Sequence, residues 1–351
     1  PEGDYDPSNV PDFDADELST MLRGMLFQRV LDRRMVSLQR RGELGTFGEG
    51  AGQEASIIGS AFAFEPEDWV FPTGRMSAVA WMLGVSVETL VKYWRGIPEA
   101  GRMDGTNCFP FAIEIGSHLP MAVGVAQAAG LAGNDHVVGA YVGDGGTSTG
   151  AYAEAMNYSG VRSAPFVLVN QNNQWAISVP YEEQTNAETL AQKAVAFGIE
   201  GIRVDGNDVL AVADATRRAR DLASEGTPTV LELVTYRMGA HTTNDDPTRY
   251  RSDEEVTAWK RHDPVNRFLA FLDAEGYGEE LDPDAIEAEL DREISDGIEA
   301  ADEIADVDID EVFEHLHEDM PEGLRTQRES FGALVERRPD ITDHVEQRPK
   351  G

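Results

Sequence analysis

Two apolar runs about thirty residues apart, 136–142 and 166–169, bracket a stretch in which Ala, Met and Tyr recur at helical intervals. Parallel strands need a crossover long enough to hold a helix, so this pattern fits a parallel strand–helix–strand unit. The first run ends in Gly143-Asp144-Gly145-Gly146 and the second in Asn172-Asn173. Asp144 and Asn173 are therefore expected at the carboxyl ends of two neighbouring strands, where open α/β sheets bind their ligands. An Asp and an Asn offer hard oxygen ligands of the kind Mg2+ or Ca2+ accepts. The glycines beside Asp144 let backbone N–H groups approach a phosphate closely, as a helix N-terminus does. This stretch predicts a site for a magnesium-bound diphosphate.

The rest of the chain extends the alternation. Helical periodicity runs from Asp16 through Leu18, Leu22, Leu26, Leu31 and Met35, and a glycine-rich loop over 42–52 feeds a small-residue helix from Gln53. A short strand is expected near Trp69-Val70-Phe71, a loop over 97–111 and a helix over 119–132. Beyond the opening unit come a helix over 190–198, a strand at 202–205, a helix over 209–224, a β-rich run over 229–236 and a polar loop over 239–252. This order predicts an α/β fold, a doubly wound parallel sheet with helices on both faces. Ile286, Leu290, Ile294 and Ile298 keep helical spacing on an acidic background and predict a helical C-terminal extension. The expected division is a flexible arm over 1–16, an α/β domain over 17–278 and an acidic helical extension over 279–351.

Composition narrows the function classes. A hydrophobic content of 41% in 351 residues supports a real core. The single cysteine, Cys108, allows neither an internal disulfide nor a thiolate metal cage, and it reads as a small buried hydrophobe. No long apolar segment or signal-peptide pattern is evident, so a cytoplasmic protein with no membrane role is expected. A net charge of −35 repels phosphate backbones and argues against nucleic-acid binding. Lysine occurs only at Lys92, Lys193, Lys260 and Lys350, and the acids are spread over the whole length. Molar salt shortens the Debye length to about 3 Å and removes most of the self-repulsion. The charge is read as adaptation to the salty cytosol of an extreme halophile.

Six ordered blocks carry a resemblance. The GDG and Asn-Asn elements match the thiamine-diphosphate fingerprint, and four further blocks flank them: Leu38-Gln39-Arg40-Arg41-Gly42, Ala51-Gly52-Gln53-Glu54-Ala55, the run from Arg203 to Asp208, and the run from Thr235 to Ser252. Over roughly residues 18–275 the chain resembles the alpha subunit of the decarboxylase component of 2-oxo acid dehydrogenase complexes. That resemblance implies the thiamine-diphosphate-binding fold, with thiamine diphosphate and Mg2+ as cofactors. It implies Asp144, Asn173 and the Trp175 carbonyl as metal ligands, and Gly143, Gly145 and Gly146 around the diphosphate. Arg75 falls where the family pairs an arginine with the phosphates, although the usual preceding tyrosine is Gly74 here. Ile115 matches the residue that props the cofactor into its bent shape, and the Ile113 backbone meets the aminopyrimidine. His241 matches a loop histidine near the reacting centre, where cofactor binding and assistance of transfer to the lipoyl group are both open to it. Phe47 is a pocket wall for the substrate side chain.

The implied reaction is oxidative decarboxylation of pyruvate or a branched-chain 2-oxo acid, with acyl transfer to a lipoyl group on an acyltransferase core. The implied partner is a beta subunit, in a heterotetramer of two alpha and two beta chains. It supplies the glutamate that activates the pyrimidine, for which no second α/β half is evident here. An acetoin dehydrogenase alpha subunit shares these motifs, and a non-catalytic structural or regulatory relative is the rival from another class. A Rossmann dehydrogenase would need a GxGxxG after an early strand, which is missing. Outside the motifs, His118 reads as structural or pocket-lining, and His315 and His317 as solvent-facing.

Overall fold

The computed structural model describes residues 6, 10–278, 281–302, 311–314 and 316–338. Most of the expected N-terminal arm, His315 and the end of the chain from 339 lie outside the described residues. In chain order the elements are α1 (Ala15–Arg40), α2 (Glu54–Phe62), β1 (Trp69–Phe71), α3 (Ser77–Met82), α4 (Val87–Trp94), α5 (Leu119–Ala132), β2 (Val138–Gly143), α6 (Gly150–Arg162) and β3 (Phe166–Asn172). There follow β4 (Trp175–Ala176), β5 (Val179–Pro180), α7 (Tyr181–Gln184), β6 (Glu200–Asp205), α8 (Val209–Ser224) and β7 (Thr229–Val234). Helices α9 (Asp253–Lys260), α10 (Pro264–Ala274), α11 (Pro283–Asp302), α12 (Glu311–Glu314) and α13 (Glu322–Arg337) complete the described chain.

The main sheet has five strands in the order β1-β2-β3-β7-β6, and every pair is parallel. Period-two alternation divides its side chains between two cores. Val138, Ala140 and Val142 of β2, Phe166 and Leu168 of β3 and Val230 of β7 pack with α5 and α6. Tyr141, Val167, Val169, Leu231 and Leu233 point the other way, into the core built by α1, α2 and α8. Strand β3 is buried at every position, as a central strand covered on both faces must be. The expected α/β architecture with helices on both faces is the observed one.

Two local readings differ from expectation. The stretch 190–198 forms a 3-10 helix, Ala191–Phe197, closed by Gly198 at φ 66°; so short a run carries too few turns for periodicity to separate the two helix types. The expected loop over 97–111 holds a 3-10 turn at Pro98–Arg102. Its end lies alongside β1 through parallel bridges from Val70 to Cys108 and from Thr73 to Ala112.

Helix α11 docks on α1 and α4. Leu290, Ile294 and Ala301 are buried there, and a Cβ at Gly297 would stand 2.5 Å from Val87 Cβ. Its acids face arginines: Arg23 with Glu289 and Glu293, Arg33 with Glu287, Arg34 with Asp291 and Arg95 with Asp302. Apart from Arg95, whose buried guanidinium also donates to the Ala301 carbonyl, these are largely exposed pairs that add little each, so the buried apolar row does most to seat the helix. No helix among the described residues is long and apolar enough to cross a membrane.

One buried carboxylate ties the sheet edge together. Asp68 has no solvent exposure and accepts from Val137 N at 2.8 Å, Glu65 N at 2.9 Å, and Arg220 Nε and Nη2 at 2.7 and 3.2 Å. It thereby holds the entry of β2 beside β1 and against α8. Removing Asp68 strands the buried N–H of Val137 and that of Glu65 and leaves Arg220 with only Glu65, at 2.9 Å. Asp68→Ala is expected to cost about 2–4 kcal/mol in denaturant unfolding, whereas exchange of an exposed helix acid such as Glu254→Ala should cost under about 1 kcal/mol.

Candidate functional site

Register places the site. Gly143 of β2 pairs with Gln171 of β3, so the two strands end side by side and Asp144 and Asn173 leave them at neighbouring points. Beyond β2 the chain turns through a 3-10 helix, Asp144–Ser148, into α6, whose first turn is capped by Thr149 Oγ1 accepting from Tyr152 N at 3.2 Å. Thr147 Oγ1 donates to the Asp144 carbonyl at 2.8 Å and fixes the turn.

Two glycines in this turn are sterically required. A Cβ at Gly145 would stand 2.6 Å from Ala176 Cβ, and one at Gly146 would stand 2.3 Å from Val142 Cγ2 and 2.8 Å from Ile115 Cγ2. The β4–β5 hairpin and Ile115 therefore rest directly on the turn. Ile115 and Ile113 remain largely exposed, as do Ile177 and Val179 of the hairpin region. This leaves an apolar rim around the site.

Asp144 is only 1% exposed, and burial pushes its carboxyl above the usual range. Opposing that shift are a 2.6 Å bond from Gln184 Nε2, backbone donors and the charge of Arg237. Asn173 Oδ1 lies 3.2 Å from Asp144 Oδ1 and 3.1 Å from the Trp175 carbonyl oxygen, so three acceptor oxygens face one another. The described residues contain no group of three or more His, Cys, Asp or Glu placed to hold a metal. The convergent set is instead one carboxylate, one amide and one main-chain carbonyl. Asp144, Asn173 and Trp175 are thus brought together at the ends of the two strands.

The segment carrying Trp175 is strained. Gln174 has φ 74° and Ile177, a β-branched residue, has φ 58°. Arg237 holds this segment, donating to the Ile177 carbonyl at 2.7 Å and to the Trp175 carbonyl at 3.3 Å. Its guanidinium also reaches Tyr250 Oη at 2.9 Å, and Tyr250 donates to Asp245 Oδ2 at 2.5 Å. Asp245 in turn accepts from His241 N at 2.7 Å. Arg237 has no exposed surface, and its part in the site escaped sequence reasoning. Its signal was present in the Thr235-Tyr236-Arg237 block, but nothing local says where that side chain points.

Arg75 and His241 are brought together. Arg75 Nη2 donates to the His241 carbonyl at 2.9 Å, and Nη1 to the Glu49 carbonyl. Both Arg75 Nη2 and Arg237 Nη1 stand 3.4 Å from His241 Nδ1. Burial first, then the two guanidinium charges, depress the imidazole to about 4. A neutral ring whose Nδ1 faces two cationic donors carries its proton on Nε2. Burial likewise brings Arg75 down to about 10. The space beside Gly74 is filled by Trp94 and Ile113, whose atoms would stand 3.1 and 3.3 Å from an added Cβ.

Phe47 is placed differently from the others. Its ring is 1% exposed and packs edge-on against Trp94 at 5.3 Å, while its backbone pairs with Thr243 of the loop. His118 is buried, with Nε2 2.8 Å from the Tyr141 carbonyl, and acts as a structural tie. His317 is exposed.

Because His241 is held neutral, its contribution to folding stability is present above the ordinary histidine value near 6.5 and is lost as pH falls from there through about 4. An NMR titration of labelled histidine, assigned with His241→Asn, is expected to show this ring uncharged at pH 5.5. Arg75→Gln should raise its midpoint only part of the way, since burial is the larger cause; a wild-type midpoint near 6.5 would contradict the geometry.

Comparison with known proteins gives the chain a family. The family model described as dehydrogenase E1 component matches residues 22–309. The 3-methyl-2-oxobutanoate dehydrogenase subunit alpha of Mycobacterium tuberculosis is 40% identical over 331 residues, covering 93% of this chain and 89% of that one. The pyruvate dehydrogenase E1 component subunit alpha of Staphylococcus aureus is 40% identical over 327 residues, covering 92% and 88%. With most of its length matched by the family model and by these relatives, the chain belongs to the dehydrogenase E1 component family.

Proposed function

We propose that this chain is the alpha subunit of a thiamine-diphosphate- and magnesium-dependent 2-oxo acid dehydrogenase, acting on pyruvate or a branched-chain 2-oxo acid and passing the acyl group to a lipoyl group. The observation that carries the proposal is the oxygen trio at the ends of β2 and β3. Adjacent ligands of an octahedral Mg2+ at about 2.1 Å lie about 3 Å apart. The separations of 3.1 and 3.2 Å in the structure match two edges of such an octahedron. Asp144, Asn173 and the Trp175 carbonyl would hold the ion. The N–H groups at the glycine turn, Gly143, Gly145 and Gly146, would meet the diphosphate. Thiamine diphosphate supplies, when bound, the carbon nucleophile and electron acceptor that decarboxylation of a 2-oxo acid requires.

The remaining residues fit supporting roles. Ile115, resting on the turn beside Gly146, is placed to prop the cofactor, and Ile113 to line the aminopyrimidine side. Arg75 adds positive charge next to the site, and His241 offers a neutral Nε2–H donor on the loop over 239–252. Phe47 backs that loop from the core and would bear on substrate fit through it. The exposed apolar rim of Ile113, Ile115, Ile177 and Val179 suits a site completed by a second chain. That chain is the beta subunit, in a heterotetramer of two alpha and two beta chains, and the lipoyl group rides on an acyltransferase core.

The test is calorimetry on the co-expressed alpha and beta pair in molar KCl, titrating thiamine diphosphate with Mg2+. Saturable binding is expected, and Asp144→Ala should weaken it by roughly 100-fold or more. Binding unaffected by that substitution would sink the proposal. Reduction of an artificial acceptor with pyruvate, branched-chain 2-oxo acids and acetoin then fixes the substrate, and a preference for acetoin would overturn the substrate class.

We further propose that the net charge of −35 suits a cytoplasm of high ionic strength. Self-repulsion among the exposed acids is screened in molar salt. The melting temperature is expected to rise steadily between about 0.1 and 2 M KCl, where the Debye length falls from about 10 Å to below 3 Å. A flat or falling profile would remove the halophilic reading.

A further inference from the structure

Behind the oxygen trio sits a second amide, Gln53 of the Ala51–Ala55 block, to which neither the resemblance nor the proposed ligand set gives a role. Gln53 is fully buried at the start of α2, and Asn173 Nδ2 donates to its Oε1 at 2.9 Å. The chain places Gln53 rigidly. Gly52 has φ +87° and leaves only 2.5 Å between its would-be Cβ and the Tyr236 carbonyl, while Thr235 Oγ1 donates to the Gly52 carbonyl at 2.9 Å. The Gln53 side chain is not used to cap the helix, and its Nε2 has no hydrogen-bond partner. Both amide groups are therefore half-satisfied in this arrangement. Gln53 has an idle buried donor, and the Asn173 oxygen faces the acceptors of Asp144 and Trp175, with only a long bond of 3.3 Å from Trp175 N.

Two states resolve that mismatch. With a cation among the oxygens, the Asn173 carbonyl belongs inward and its N–H outward on Gln53 Oε1. Without a cation, rotating both amides by half a turn brings the Asn173 nitrogen to 3.2 Å from Asp144 Oδ1 and 3.1 Å from the Trp175 carbonyl. Gln53 Nε2 then donates to the Asn173 oxygen at the same 2.9 Å separation. Neither amide can turn alone without setting donor against donor or acceptor against acceptor at their shared contact. An unmet buried donor or acceptor costs about 1–3 kcal/mol, enough to couple the two.

We infer that Gln53 is a positioning residue for the cation site: its amide fixes which end of the Asn173 amide faces Asp144, and the two amides turn together as the ion enters and leaves. This inference rests on the reading of the Asp144 site as a cation–diphosphate site. It assigns Gln53 no contact with substrate or cofactor.

The test is Mn2+ binding, followed by electron paramagnetic resonance of the free ion, on the alpha and beta pair in molar KCl with thiamine diphosphate present. Gln53→Met keeps length and removes both polar atoms; it is expected to weaken Mn2+ binding by on the order of 10-fold or more, the range found for partners behind metal ligands. Gln53→Glu keeps only acceptors toward Asn173 and is expected to retain tight binding. Loss with Met and retention with Glu supports the inference. Unchanged affinity with Met, or equal loss with both variants, overturns it. Should Gln53→Met not fold, crystal structures of the wild-type pair with and without Mn2+, at a resolution that separates amide N from O, decide the matter. The inference expects the Asn173 nitrogen inward when the ion is absent, and oxygen inward in both states overturns it. Asp144→Ala run beside these variants separates the two levels: retained Mn2+ binding there removes the site reading itself, whereas Asp144-dependent but Gln53-independent binding removes only the role of Gln53.

Discussion

A carboxylate buried to 1% exposure among acceptor oxygens is the constraint around which the site is arranged. Burial raises its affinity for a proton, and a proton or a cation must offset the desolvation. The protein supplies partial compensation: the Gln184 amide, backbone donors at Asp144 and Asn173, and the charge of Arg237 held behind the Trp175 carbonyl. These orient Asp144, while burial still leaves its carboxyl above the usual range. The electropositive guest of the proposed function would complement it, and the N–H groups of the glycine turn beside it would suit a guest that brings its own negative groups.

The loop over 239–252 belongs to the same construction. Arg251 donates to the carbonyls of Arg237, Met238 and Gly239, and Arg237 passes the tie on to the hairpin that carries Trp175. His241 therefore stands on a segment braced at several points. Its charge state follows from burial, and then from the company of two guanidiniums, rather than from its place in the sequence. The wall of this construction nearest the sheet is Ile115 on Gly146, and the one nearest the core is Phe47 against Trp94.

Much of this was legible from residue order, because strand ends, glycine turns and the residues that leave them are local features. The parallel unit around β2 and β3, the meeting of Asp144 with Asn173 and the glycine tightness all follow from a spacing of about thirty residues. What was not legible depends on contacts between distant segments. Gln53 lies 120 residues from Asn173, and Gln184 lies 40 from Asp144. Their side-chain directions are set by how α2 and α7 dock, which periodicity does not encode. Likewise the helical spacing of Leu290 and Ile294 announced α11, but only the packing shows that it closes on α1 and α4.

Strain at Gln174 and Ile177 sets a temporal order for assembly. The hairpin that presents the Trp175 carbonyl is clamped by a guanidinium 60 residues further along the chain, past the last strand of the sheet. A polypeptide growing from the ribosome therefore completes β2, β3 and the hairpin well before it has the side chain that holds them in working shape. Until β7 has joined the sheet, the hairpin is free to relax from its left-handed conformations. The geometry of the Asp144 site is thus a late product of synthesis, formed only when both halves of the sheet have met.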